Sequence, residues 1–178
     1  MEASAGLSYL QAHSAQSTFM RLPSAKRIQL SSTALLGGIQ ISRDGGRTWS
    51  IAGLAPAEIV DLAASSENSN IVYAATKRGL MISRDAGKIW EMALQQTQPA
   101  TMVETMPDGT IYAFVIGSGL IKLPLSEPSW RPVNEAFGDQ LILHLAADPT
   151  DPLRLFAVTD AGRILSSTDG GKTWPPFS

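Results

Sequence analysis

Two histidines and no cysteine among 178 residues leave carboxylates, hydroxyls and arginines as the main groups able to do chemistry. Without cysteine there is no disulfide, no thiolate metal site and no cysteine nucleophile. His144 lies in the apolar run "LILHLAADP", and Asp61, Met102 and Met20 fall near the same phase of other segments. If these four side chains ring a channel, His, Asp and Met could hold a metal or a small ligand. The plainer reading has His144 satisfied by a backbone carbonyl and Asp61 solvated; on that reading we expect neither metal nor cofactor. His13, in the terminal segment, is expected to be exposed. "DPTDP" (Asp148 to Pro152) lacks the glycine-centred ligand series of a calcium loop and reads as turn chemistry. "GSG" (Gly117 to Gly119) precedes a strand and not a helix, so it is no phosphate loop. A catalytic pair of carboxylates on inner strands would have to be Asp61 with Glu104, and no catalytic residue is expected.

The most frequent polar pattern is an eight-residue motif. "SRDGGRTW" runs from Ser42 to Trp49, "SRDAGKIW" from Ser83 to Trp90 and "STDGGKTW" from Ser167 to Trp174. Its residue types suit a tight turn bonded to itself. The carboxylates of Asp44, Asp85 and Asp169 can accept from backbone N–H groups just downstream, as in Asx-turns. Gly46, Gly87 and Gly171 can take a positive φ that a Cβ penalises. The hydroxyls of Ser42, Ser83, Ser167, Thr48 and Thr173 can bond to the same backbone. Trp49, Trp90 and Trp174 open the next strand with a large apolar surface, suited to lie between stacked sheets.

The motif serines are 41 and then 84 residues apart, so a copy is missing midway. The four tryptophans supply it: Trp49, Trp90, Trp130 and Trp174 are spaced by 41, 40 and 44 residues. "LPLSEPSW", ending at Trp130, has lost the Ser, Asp and Gly and kept the indole. Around each motif, runs such as "IVDLAAS", "IVYAAT" and "LMIS" are separated by turn residues such as "SENSN" and "KRG". Short β-rich runs with this punctuation are strands of antiparallel hairpins, and no sustained helical period occurs. A repeat of about 40 residues made of several strands is the length of a propeller blade.

Ser-x-Asp-x-Gly-x-Thr-Trp resembles the Asp-box, or BNR repeat, found in sialidases, sortilin-like receptors and the photosystem II assembly factor family. The resemblance implies a turn between the third and fourth strands of a β-propeller blade, structural and usually far from the ligand site. It also invites a sialidase reading of "FMRLP" (Phe19 to Pro23), because those enzymes carry Phe/Tyr-Arg-Ile-Pro with a substrate-binding arginine. Here Met20 stands in the aromatic slot and Leu22 in that of isoleucine. Arg43, Arg47 and Arg84 lie in turns, and Tyr73 and Tyr112 read as core.

The expected fold is therefore all-β: a β-propeller or partial propeller of four Asp-box blades, each a four-stranded antiparallel sheet. One domain over 1–178 is expected, with blades near 17–55, 56–97, 98–138 and 139–178, and residues 1–16 as a terminal strand able to close the ring. The last blade has only "PPFS" after Trp174 for its outer strand. The formal charge of −2, without any block of like charge, argues against nucleic acid and against a polybasic membrane patch. No apolar run approaches the about 20 residues of a membrane span. The start lacks a basic and apolar leader, which leaves an exported protein with its signal removed or a cytoplasmic one. The leading functional expectation is a non-enzymatic binding or assembly scaffold with a protein partner, homodimeric through exchange of the terminal strand. The alternatives are a fragment or degenerate relative of an Asp-box glycoside hydrolase and a self-assembling module without a ligand of its own.

Overall fold

The computed structural model describes residues 19–21, 27–30, 38–44, 46–134, 137 and 140–175. The expected terminal strand at 1–16 lies outside them. Among the described residues there is no helix. The described residues hold fifteen strands, which form four antiparallel sheets in chain order. The first sheet holds β1 (Phe19–Arg21), β2 (Arg27–Leu30), β3 (Gly38–Ser42) and β4 (Ser50–Leu54). The second holds β5 (Ile59–Ala64), β6 (Val72–Thr76), β7 (Gly79–Ser83) and β8 (Glu91–Met92). The third holds β9 (Ala100–Thr105), β10 (Ile111–Val115), β11 (Gly119–Leu123) and β12 (Arg131–Asn134). The fourth holds β13 (Ile142–Asp148), β14 (Asp151–Thr159) and β15 (Ile164–Ser167).

Each sheet is a meander, because each strand pairs with the next in the chain. The Thr76–Gly79 turn shows the local cause. Thr76 Oγ1 donates to the Gly79 carbonyl at 2.7 Å, and Gly79 takes φ 128°. Strands β6 and β10 are buried along their whole length. A strand enclosed by sheets on both sides needs apolar residues on both faces, which is why "VYAAT" and "IYAFV" run without polar alternation.

The core lies between sheets. The face a sheet turns toward its successor is its forward face, and the other is its rear face. Ile39 and Ile41 on the forward face of the first sheet meet Leu62, Ala64, Val72 and Ala74 of the second. Ala63, Tyr73, Ala75, Leu80 and Ile82 then meet Val103, Ile111, Ala113, Val115 and Ile121 of the third. Met102, Tyr112, Phe114 and Leu120 meet Leu145, Leu155, Ala157 and Leu165 of the fourth. Successive residues of a strand thus serve alternate neighbours. Two hydroxyls fasten the inner strands across these seams: Thr105 Oγ1 donates to the Ala64 carbonyl at 2.7 Å, and Thr101 Oγ1 to the Ile142 carbonyl at 2.6 Å.

Two expectations need correction. The fourth sheet has three strands among the described residues, not four. Of the segment after Trp174 only Pro175 lies among the described residues, and its carbonyl accepts from Ser166 N at 3.2 Å. Proline has no N–H to continue the ladder, and Pro176 follows it. The second correction concerns Met20. Tyr73, Tyr112 and Phe156 lie opposite Ala63, Glu104 and Ala146, whereas Ile28 lies opposite Met20 and Ile41. Met20 is therefore level with Ala63, Glu104 and Ala146, two residues away from the phase of Asp61, Met102 and His144. Thr18, two residues before Met20, lies outside the described residues.

Candidate functional site

The motif turns connect β3 to β4 and β7 to β8, and follow β15. In the first, Ser42 Oγ donates to Asp44 Oδ1 at 2.8 Å and accepts from Gly46 N at 2.7 Å. Asp44 Oδ1 accepts from the amides of Arg47 and Thr48 at 3.0 and 2.9 Å, and Oδ2 from the Thr48 hydroxyl at 2.6 Å. Trp49 Nε1 donates to the Gly46 carbonyl at 3.2 Å. The third turn repeats every one of these bonds around Ser167, Asp169, Gly171, Thr173 and Trp174. In the second, Ile89 replaces threonine, so Asp85 keeps the amides of Lys88 and Ile89 without the hydroxyl. Gly46, Gly87 and Gly171 take φ of 92°, 90° and 91°. Hydrogen bonds to the charged form hold the Asp44, Asp85 and Asp169 carboxyls below the ordinary range. In Asp44 and Asp169 the threonine hydroxyl is the largest cause.

These turns also join sheets. A Cβ on Gly87 would lie 3.3 Å from Ile39 Cγ2 of the preceding sheet, and one on Gly171 would lie 3.0 Å from Leu120 Cδ2. Tyr112, buried, donates its hydroxyl to the Gly170 carbonyl at 3.1 Å. Burial pushes that phenol up to about 12, with a smaller contribution from Asp108. Trp130 meets Tyr73 of the preceding sheet edge to face, with centroids 5.8 Å apart, and Trp174 lies 6.1 Å from Phe137. Trp90 packs against the cluster that contains Ile39 and Ile41.

The inner strands bring three ionisable groups near one another. Asp61 is buried; its Oδ2 accepts from Val103 N of the next sheet at 3.1 Å and its Oδ1 from Leu62 N at 2.9 Å. Burial raises the Asp61 carboxyl, opposed by those two amides and by His144. Glu104, half-buried, is pushed up to about 7 by burial first and by the charge of Asp61 second. His144 is exposed. Met102 is not on a channel wall: it is fully buried in the seam between the third and fourth sheets, where its cross-strand partner Phe114 also packs. No group of three or more His, Asp or Glu among the described residues is arranged to hold a metal. Phe19 to Arg21 form β1, and Leu22 and Pro23 lie outside the described residues.

A cleft of about 390 Å³ opens beside the third sheet, where Leu94, Ile121 and Trp130 meet Gln96, Ser118 and Arg131. Ser118 Oγ donates to Gln96 Oε1 at 2.6 Å. Its polar lining comes from the "QQTQP" linker, the β10–β11 turn and Arg131 at the start of β12. A reading by repeats passes over them, because the linkers are where the copies differ most.

Meander sheets stacked face to face, with self-bonded Ser-Asp-Gly turns after the third strand, define an Asp-box β-propeller arrangement, open between the fourth and first sheets among the described residues. The model of the BNR/Asp-box repeat family matches residues 40–50. Among solved structures, YCF48 bound to a D1 peptide is 20% identical with a TM-score of 0.63, over 89% of this chain and 51% of that one. YCF48 from Cyanidioschyzon merolae is 18% identical with a TM-score of 0.60, over 89% and 55%. The GH74 enzyme of Niastella koreensis is 16% identical with a TM-score of 0.65, over 86% and 27%. The chain thus spans about half the length of the YCF48 chains and about a quarter of that GH74 enzyme. No curated protein matches the sequence. Likeness at this level of identity shows the fold, and blades of one kind carry unrelated activities.

Proposed function

We propose that the chain is a non-enzymatic binding scaffold whose partner is a peptide or protein segment. The observation that carries this reading is the closure of the Asp-box bonds on themselves. In the first and third turns the motif's hydroxyls, carboxylate and indole N–H are all spent inside the turn or its immediate backbone. The repeated polar residues therefore build a frame, and recognition falls to the surfaces between the sheets. The cleft at Leu94, Gln96, Ser118, Trp130 and Arg131 combines an apolar floor with amide, hydroxyl and guanidinium groups, a lining suited to an extended peptide. That a YCF48 propeller of the same fold binds a D1 peptide agrees with the reading. Selection of a displayed random-peptide library against the chain should enrich binders, and Gln96→Ala with Arg131→Ala should weaken them at least tenfold. No enrichment, or binders indifferent to both substitutions, refutes the reading at this cleft.

A second reading, a glycoside hydrolase relative, is favoured by one observation. Asp61 and Glu104 lie within each other's field, and burial together with the charge of Asp61 raises Glu104 to about 7, the range in which a carboxyl can serve as a general acid or base near neutral pH. Turnover of aryl glycosides, including sialic-acid ones, that is lost in Glu104→Gln or Arg21→Ala would establish it. Absence of turnover in the unaltered chain removes it.

A further inference from the structure

The four sheets obey one packing rule at every internal seam. The motif turn and tryptophan of each sheet rest on the forward face of the sheet before it. Gly87 lies over Ile39, Gly171 over Leu120, and Trp130 stands on Tyr73. The position three residues before the motif is central to this contact: Ile39, Leu80 and Leu120 are each fully buried there. Among the described residues, the two ends of the array present the two halves of the contact without a counterpart.

At one end is the forward face of the fourth sheet. By strand register Ala146, Phe156, Val158 and Ile164 repeat Ala63, Tyr73, Ala75 and Leu80. The repeated residues remain apolar, yet Ile164 is 52% and Val158 38% exposed. Phe156 is half-buried, with the Arg154 guanidinium 5.3 Å from its ring centre. At the other end is the rear side of the first sheet. Its motif glycine, Gly46, is half-buried where Gly87 and Gly171 are buried, and Trp49 and Gln40 are half-buried beside it. Gln40 stands where Ile121 stands in the third sheet, two residues before the motif.

We propose that the forward face of the fourth sheet docks a second copy of this chain, through the motif turn of its first sheet. Gly46 of the partner subunit lies over Ile164 as Gly87 lies over Ile39, and Trp49 of the partner subunit stands on Phe156 as Trp130 stands on Tyr73. Arg154, an exposed side chain 3.7 Å from the Asp148 carboxylate, moves off the Phe156 ring to the rim and keeps its charge in water. The contact is head to tail, and two copies close it about a two-fold axis along the ring, so both open faces are covered. Two copies together amount to about the chain length of the YCF48 propellers, of which one copy spans half. A second copy is favoured over an unrelated protein because the chain itself carries the matching half of the contact. The inference is independent of what the cleft binds.

Sedimentation should show a species of twice the 19.0 kDa chain mass, shifted to the monomer by Ile164→Asp with the melting of the monomer unchanged. Because the chain has no cysteine, Gln40→Cys and Ile164→Cys supply the only thiols. The two single variants, mixed and treated with a short bismaleimide, should give a covalent dimer that neither gives alone. A monomer at all concentrations overturns the proposal and leaves the face to a different partner. A double variant that cross-links only within one chain overturns it in favour of self-closure, and an open ladder of higher masses overturns the two-copy ring.

Discussion

Leu80 and Ile164 occupy the same place in two copies of one repeat, three residues before the motif serine, on the strand opposite Ala75 and Val158. Leu80 is fully buried and Ile164 is 52% exposed. Local chemistry does not separate them: both are aliphatic, both pair in register, and both precede the same self-bonded turn. The difference is the neighbour. The third sheet covers Leu80, and no described sheet covers Ile164. In a stacked repeat, the worth of an apolar side chain is set by whether the next unit is present, and stability is close to a sum of seams.

Leu80→Ala should break the comparison most strongly, costing about 2–5 kcal/mol, because the cavity opens in a packed seam that cannot collapse. Urea melts will measure it, and a cost under about 1 kcal/mol would mean the seam is loose. Asp61→Ala should come next, at about 1–3 kcal/mol, because it leaves Val103 N without an acceptor inside the same seam. Asp85→Ala should lower the melting temperature by about 2–6 °C near neutral pH. Its carboxyl is lowered in the fold, so this contribution is present above the ordinary carboxylate range and lost as pH falls toward the folded value. The gap between Asp85→Ala and the unaltered chain should therefore close on acidification.

Glu104 should show the opposite sign. Its carboxyl is raised from 4.5 to about 7, so the stability associated with the protonated form is full below 4.5 and falls as pH rises through about 7. Glu104→Gln should flatten that fall and melt several degrees higher than the unaltered chain at pH 8. The smallest effect is expected at Ile164→Ala in dilute solution, within about 0.5 kcal/mol. The same substitution should cost more at concentrations where copies associate, which turns the comparison with Leu80 into a measure of the docked face.

The sheets and their turns were legible in the sequence because they depend on local chemistry. Ser42, Asp44, Gly46 and Thr48 complete their bonds within seven residues, so spacing alone announces the turn. Strand runs such as "IVYAAT" are marked by composition and by the turns at their ends. The inner-strand residues were read less well. Asp61 and His144 do lie on inner strands that share a field, but Met102, in the same phase, is swallowed by the seam, and Met20 is two residues out of register. Bulges at Ile59–Asp61, Phe114–Val115 and Ile142–His144 shift facing along the strand, and a bulge has no residue signature in these copies. The cleft at Gln96 and Arg131 was not foreseen, because the linker after the second copy builds it together with a turn and the last strand of the third.

By itself, the sequence determined the repeat, the all-β class and the self-bonded turns, since each rests on residues close in the chain whose hydrogen-bonding and dihedral demands are met locally. The tertiary structure decided which apolar faces are covered, which carboxylates feel one another, and where the array stays open. Those properties depend on how sheets stack across some 40 residues of chain, and equal residues in equal repeats meet different neighbours.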